Sequence, residues 1–363
     1  MKITFPHLGN VYIAAKAILE DLGHTVITPP VCTQRTLEIG TKYAPETICL
    51  PFKVFLGNAI ESIEKGADTL VLTGSCGPCR YGFYSILLED VLNKLGYDLD
   101  IILLDSLAEG KKDLFNNLSR LIRSKNVVNI SRFMNRSLKT IKLADEFIQL
   151  SNEIRSIAND KDEVNNIVSN YYNEIDDTFG SEELIILTNK YINKLNKVKT
   201  IRGITPLKIG IIGEIYTVIE PFVNMEVEKK LGNMGIFVEK SLTPSIWLEH
   251  HVTKYPFGSK EEIKKHKLAM SYMKNAVGGH GRETVGSAID YKQKGFDGAI
   301  QILPLNCMPE IVAKSVLSTV ENDLNFPIMT LVVDEMTGEA GFQTRLEAFV
   351  DLINRRKESR VGQ

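Results

Sequence analysis

Lys2-Ile3-Thr4-Phe5, then Gly9-Asn10-Val11-Tyr12, opens the chain, and Lys208-Ile209-Gly210-Ile211-Ile212, then Gly213-Glu214-Ile215-Tyr216, opens its second half in the same manner. After each opening comes a helical pattern ending in Leu22-Gly23 or Leu231-Gly232, and then a strand pattern at Thr25–Thr28 or Ile236–Glu239. Further on, Gly66-Ala67-Asp68 leads the strand Leu70–Leu72 into Cys76 and Cys79. In the second half Gly295-Phe296-Asp297 leads Ala299–Leu303 into Cys307. Each half then carries a helix and a strand ending in Asp, at Ile101–Asp105 and Met329–Asp334. Strands alternating with helices predict parallel sheets, and three matches in one order predict a duplication. The expected fold is α/β, with two similar doubly wound parallel-sheet lobes of the Rossmann or flavodoxin kind.

The lobes are expected over 1–105 and 203–363, the second ending in a helix from Thr344 with Glu347 as the third residue of a capping box. Between them, over 106–202, the character changes. From Lys111 to Thr200 there is no proline and one glycine, Gly180, while Leu143, Phe147, Leu150 and Ile154 recur at helical spacing. This segment predicts an all-helical insertion, with breaks near Val128–Ser131, Asn159–Lys161 and Gly180–Ser181.

At 363 residues the chain suits two or three domains. A net charge of −2 offers no electrostatic case for nucleic acid or an anionic membrane as partner. The longest apolar runs, such as Ile101–Leu104, are too short for a bilayer. Met1–Phe5 passes directly into a strand pattern without the features of a secretory signal, so a cytoplasmic location is expected. Five cysteines in a reducing compartment point to metal binding, catalysis or inert burial rather than a disulfide framework.

Right-handed crossovers gather the loops after parallel strands at one edge of a sheet, where open α/β sheets bind ligands. Cys76, Cys79 and Cys307 fall in such loops. Cys49 precedes a helix starting near Pro51, and is expected nearer the opposite edge unless Tyr43–Leu50 folds back. Cys76-Gly77-Pro78-Cys79 has the spacing of a dithiol oxidoreductase motif, which would leave Cys49 and Cys307 idle. Four thiolates would equally close a structural zinc site, and the same soft donors suit iron–sulfur clusters. Cys32 has no partner in this pattern and reads as structural.

Other residues have their own chemistry. Gly279, Gly281 and Arg282, in Gly278-Gly279-His280-Gly281-Arg282-Glu283, open a helix and could cradle a phosphate or carboxylate. Counting back from Gly295 and Gly66, His280 falls near the position that Cys49 holds in the first half. His280 and, more weakly, His7 after the first strand are candidate proton donors. Glu310 stands at a helix start, where capping is the more ordinary role and catalysis the rarer one. Arg80 beside Cys79 could lower the thiol pKa or bond to a cluster sulfur. His250 and His251 read as surface residues.

Six segments together resemble the 2-hydroxyacyl-CoA dehydratase family, and in particular its branch of activase-related proteins. They are Phe5-Pro6-His7-Leu8-Gly9-Asn10, Pro45-Glu46-Thr47-Ile48-Cys49-Leu50-Pro51-Phe52-Lys53, Gly77-Pro78-Cys79-Arg80-Tyr81-Gly82, Gly279-His280-Gly281-Arg282-Glu283, Cys307-Met308-Pro309-Glu310 and Thr344-Arg345-Leu346-Glu347-Ala348-Phe349. The resemblance implies a [4Fe-4S]-type cluster in a cleft between the lobes, held by Cys49, Cys79 and Cys307, with Cys76 as a further candidate. It implies low-potential electron transfer, to a CoA thioester or similar molecule, with electrons from a separate ATP-hydrolysing activase. A second dehydratase-like subunit or a homodimer would fit the same pattern. No nucleotide is expected on this chain, which lacks both the Gly-x-x-x-x-Gly-Lys-Ser/Thr loop and the Gly-x-Gly-x-x-Gly fingerprint. A zinc- or cluster-stabilised assembly subunit, and a dithiol oxidoreductase using Cys76 and Cys79, are the alternatives.

Overall fold

The computed structural model describes residues 1–74, 79–104, 111–122, 127–248 and 260–361. Cys76, His250 and His251 lie outside the described residues. The chain forms two compact units, 1–147 with 167–194 and 148–166 with 195–363.

The first unit carries β1 (Lys2–Thr4), α1 (Val11–Asp21), β2 (Thr25–Val26), α2 (Gln34–Tyr43), α3 (Leu50–Glu64), β3 (Thr69–Thr73), α4 (Tyr84–Lys94) and β4 (Asp100–Leu104). All strand pairs are parallel and the sheet order is β2-β1-β3-β4. Four further helices follow in sequence: α5 (Lys111–Leu121), α6 (Val127–Ile157), α7 (Lys161–Asp176) and α8 (Gly180–Leu195). The breaks expected near Asn159 and Gly180 are the α6–α7 and α7–α8 junctions. The one expected near Val128 is the start of α6, which then runs unbroken for 31 residues. Buried Lys16 of α1 donates to the Ile175 and Thr178 carbonyls at the end of α7, which binds that helix end within the first unit.

The second unit repeats the order. It has β5 (Lys208–Gly213), α9 (Ile215–Ile219), α10 (Val227–Asn233), β6 (Phe237–Lys240), α11 (Pro244–Leu248), α12 (Lys260–Ala269), α13 (Gly281–Gln293), β7 (Gly298–Pro304), α14 (Met308–Leu324), β8 (Ile328–Val333) and α15 (Glu339–Val361). Its sheet is β6-β5-β7-β8, again wholly parallel. The sequence repeat is thus a repeat of topology. Every residue of β7 is buried, as expected of a central parallel strand covered on both faces. The final helix begins at Glu339, five residues before the expected Thr344, whose hydroxyl instead donates to Ala340 O from inside the helix. The turn that starts it is made by Asp334 and Thr337, which bond each other's side chain and backbone.

In each unit the helix before the third strand crosses its neighbour at a glycine. A Cβ on Gly57 of α3 would lie 1.9 Å from Thr36 O of α2, and one on Gly286 of α13 would lie 2.0 Å from Lys265 O of α12. Both glycines stand nine positions before the glycine that ends their helix turn, Gly66 or Gly295. The contact is backbone against backbone, so no side chain can move aside to admit a methyl group. Gly57→Ala or Gly286→Ala is expected to cost about 3 kcal/mol or more. Chemical denaturation of each variant against the parent checks this, and a loss under about 1 kcal/mol would show that the helices can part.

Candidate metal centre

A helix that precedes a parallel strand runs antiparallel to it, so its N-terminus arrives where the strands end. Cys49 is the N-cap of α3 and therefore belongs to the C-terminal edge of the first sheet. The expectation of the opposite edge is corrected on this ground. Contacts agree: Cys49 Sγ lies 2.8 Å from the hydroxyl of Tyr84, the first residue of α4. Arg80 donates from Nη1 to Thr47 O at 3.0 Å, joining the segment before Cys49 to the turn after Cys79. Arg80 thereby holds a loop, a role its position beside Cys79 did not disclose.

Cys79 directly precedes a 3-10 turn, Arg80–Phe83, that runs into α4. Cys49 is buried and Cys79 half-buried. Around Tyr84 the rings of Phe52, Phe55 and Tyr81 pack at centroid distances of 5.1, 5.7 and 5.0 Å. Tyr81 also exchanges a 3.1 Å hydrogen bond with Thr73 Oγ1 at the end of β3. The phenol that meets the Cys49 thiol is therefore itself packed among three aromatic rings. His7, after β1, is buried and stacked on Tyr12 at 4.7 Å, while its backbone N–H donates to Asn58 Oδ1 at 2.9 Å. Cys32, which reads as structural in the sequence, is buried, with its Sγ within 4.8 Å of a His7 ring nitrogen.

At the corresponding edge of the second sheet, Cys307 is the N-cap of α14, with Pro309 in the first turn. Asn306 just before it takes a left-handed φ of 67°, a conformation Asn tolerates better than most residues. His280 is the N-cap of α13, as Cys49 is of α3. The correspondence suggested by counting back from the glycines is thus a correspondence of place in the fold. The turn carrying Gly279 and Gly281 lies on the start of α14. A Cβ on Gly279 would stand 2.9 Å from Pro309 Cγ, and one on Gly281 2.6 Å from Pro309 O. These glycines are accounted for by close approach of two helix starts, and Arg282 donates from Nη2 to Lys274 O at 2.7 Å.

Glu310 does not cap α14. Its side chain turns inward, is 1% exposed, and accepts from Thr284 Oγ1 and Gln301 Nε2, both at 2.9 Å. Gln301 in turn accepts from Thr330 Oγ1 at 3.1 Å, and its amide also reaches Glu310 O. Burial raises the Glu310 carboxyl to about 7, with the Glu214 carboxylate adding to the effect and the two hydrogen bonds opposing it. Near neutrality this group therefore holds or releases a proton one helical turn from Cys307. Thr284, Gln301, Tyr81 and Tyr84 were missed from sequence, because each matters through a neighbour brought by another element.

Thiols are donors that thiophilic metals accept. Cys49 and Cys307 cap helices with extended backbone and make no side-chain cap bond, and Cys79 leads into a third helical turn. A helix N-terminus favours the thiolate over the thiol, and its N–H groups are aimed where sulfide or thiolate sulfur would sit. No protein-family model matches the chain, and no curated protein matches it. Among the described residues no helix is long and apolar enough to cross a membrane.

The Glu310 carboxyl binds its proton more tightly in the folded state than the ordinary carboxyl value of 4.5. Its contribution to stability is thus complete below pH 4.5 and is lost as pH rises through about 7. Between these limits the slope approaches ~1.4 kcal/mol per pH unit for one proton. In Glu310→Gln the new amide can accept from Gln301 and donate to Thr284 Oγ1, so the fold is retained. Denaturant midpoints from pH 4.5 to 7.5 are expected to fall less steeply in this variant than in the parent; equal slopes would exclude Glu310 as the titrating group.

Proposed function

We propose that this chain is an iron–sulfur protein related to the 2-hydroxyacyl-CoA dehydratases and their activase-related branch, with Cys49, Cys79 and Cys307 as cluster ligands. Cys76 is the further candidate ligand. The observation that supports this most is the 2.8 Å contact of Cys49 with Tyr84, which brings a second thiol to the sheet edge that carries Cys79. Cys307 occupies the equivalent edge of the repeated sheet. A [4Fe-4S]-type cluster bound there supplies low-potential single electrons.

The chain's own groups have definite tasks on this reading. The Tyr84 hydroxyl orients Cys49 Sγ and can donate to it as a thiolate. Phe52, Phe55 and Tyr81 pack around the Tyr84 ring and fix the phenol that meets that sulfur. Glu310, held by Thr284 and Gln301, carries a proton on the Cys307 side. His280 offers a second proton-bearing group in the slot that Cys49 fills in the other repeat. Electrons would come from a separate ATP-hydrolysing activase in the cytoplasm, and a CoA thioester is the acceptor that the resemblance favours. A dehydratase-like second subunit or a second copy of the chain completes such an assembly.

Anaerobic purification followed by iron and acid-labile sulfide analysis tests the reading. The expected result is brown protein with about four irons and about four sulfides per chain. Cys49→Ser, Cys79→Ser and Cys307→Ser should each lose most of both. Colourless protein with about one zinc and no sulfide would replace the cluster with a structural zinc site. Protein without metal that reduces disulfides stoichiometrically through Cys76 and Cys79 would favour dithiol chemistry.

A further inference from the structure

A second group of ligand-type side chains lies in the second unit, away from the cysteines. Glu262 and His266 are four residues apart on α12 and so share one face of that helix. Glu283 is in the first turn of α13. The crossing of these helices at Lys265 and Gly286 sets their register, placing Glu283, one turn before Gly286, opposite His266, one residue after Lys265. The His266 Nε2 to Glu283 Oε1 distance is 2.7 Å, and one ligand atom from each of the three residues lies within 4.8 Å of the others.

We propose that Glu262, His266 and Glu283 form a binding site for a divalent first-row transition cation, of the Mn²⁺ to Zn²⁺ kind, independent of the cysteine centre. One imidazole and two carboxylates are the donors such cations take, at about 2.0–2.2 Å each. Ligand atoms around such an ion stand about 3–3.5 Å apart, so the 2.7 Å His266–Glu283 pair would open slightly and the Glu262 carboxylate, within 4.8 Å, would complete the set. The helix backbones, locked at Gly286, need not move.

About two turns further along α13 from Glu283, Asp290 is matched by two lysines, Lys264 of α12 and Lys294. At Glu283 the group is mixed, with the Glu262 carboxylate and the His266 imidazole from the facing helix and with His280 and Arg282 nearby. Arg282, next to Glu283, gives its Nη2 to Lys274 O. Burial alone would raise Glu283, but the His266 bond and the nearby His280 hold it below the usual carboxylate range, while Glu283 raises His266. The proton therefore resides on His266 and points at the Glu283 carboxylate, and a cation would take its place between them. The residues are half-buried, which leaves room for water as the remaining ligands.

Manganese distinguishes this site from the cysteines, because thiolates are poor ligands for Mn²⁺. Titrating the full chain with Mn²⁺, the free-ion electron paramagnetic resonance signal is expected to show one bound equivalent. Glu262→Gln and Glu283→Gln should each weaken binding at least tenfold, and Cys307→Ser should leave it unchanged. Glu262→Gln changes a partly exposed helix position and keeps the fold should Glu283→Gln not do so; far-UV circular dichroism establishes this. In the parent, bound Mn²⁺ should also broaden the His266 ring-proton resonances beyond detection. A free-ion signal untouched by millimolar protein would overturn the site, as would equal binding by the glutamate variants or an unbroadened His266.

Discussion

Parallel pairing of every strand is the constraint from which the rest of this structure follows. A strand that must lie parallel to its neighbour obliges the intervening helix to return antiparallel, and each such return delivers a helix N-terminus to the edge where strands end. Helix N-termini carry free N–H groups and the positive end of the peptide dipoles. Cys49, Cys79 and Cys307 stand at such places, and buried Cys32, just before the Thr33 N-cap of α2, lies next to another. A thiol at that edge sits in the positive field that favours its ionised, metal-binding form.

The glycine crossings make that placement exact enough for chemistry. Gly57 and Gly286 let α3 and α13 approach their neighbours at backbone distance, which fixes how far each helix slides along its axis. Sliding α3 by one turn would move Cys49 about 5.4 Å along its axis and away from Tyr84. The same contact in the second unit sets His280 at the start of α13 and Glu283 over His266. One packing feature, repeated, thus positions a thiol in one unit and an imidazole and a carboxylate in the other.

Much of this was legible from residue order alone. Apolar runs such as Ile209–Ile212 and Ala299–Leu303, with the matched glycines at 66 and 295, disclose the duplication and the parallel strands because both are local patterns. Where local pattern stops, legibility stops with it. Glu310 has the sequence position of a capping residue, and only the arrival of Thr284 from α13 and Gln301 from β7 turns it inward. Gly279 and Gly281 have the look of an anion cradle, whereas Pro309 lies where their side chains would be. The edge to which Cys49 belongs was readable in principle, since the direction of a helix before a parallel strand is fixed by topology; the reading followed chain order instead. Tyr84 carries no signal at all until α3 and α4 are packed.

The two sheet edges, built on one plan, have diverged in chemistry. At the first, Tyr84 meets Cys49 and is packed by Phe52, Phe55 and Tyr81, while Arg80 ties the loop before Cys49 and buried His7 follows β1. The second surrounds the start of α14 with proton-bearing groups: Glu310, with its carboxyl raised to about 7, and, at the head of α13, His280 and Glu283. A low-potential electron is best kept where water and protons are few, because protonation of the reduced centre dissipates the potential. A reaction that expels hydroxide or protonates a carbanion needs the opposite. Duplication followed by divergence supplies both environments from one fold, with a thiol on an aromatic-packed phenol in one copy and a buried carboxyl beside a half-buried imidazole in the other. On the function proposed above, that asymmetry is what a chain would need in order to deliver an electron and manage the proton that accompanies it.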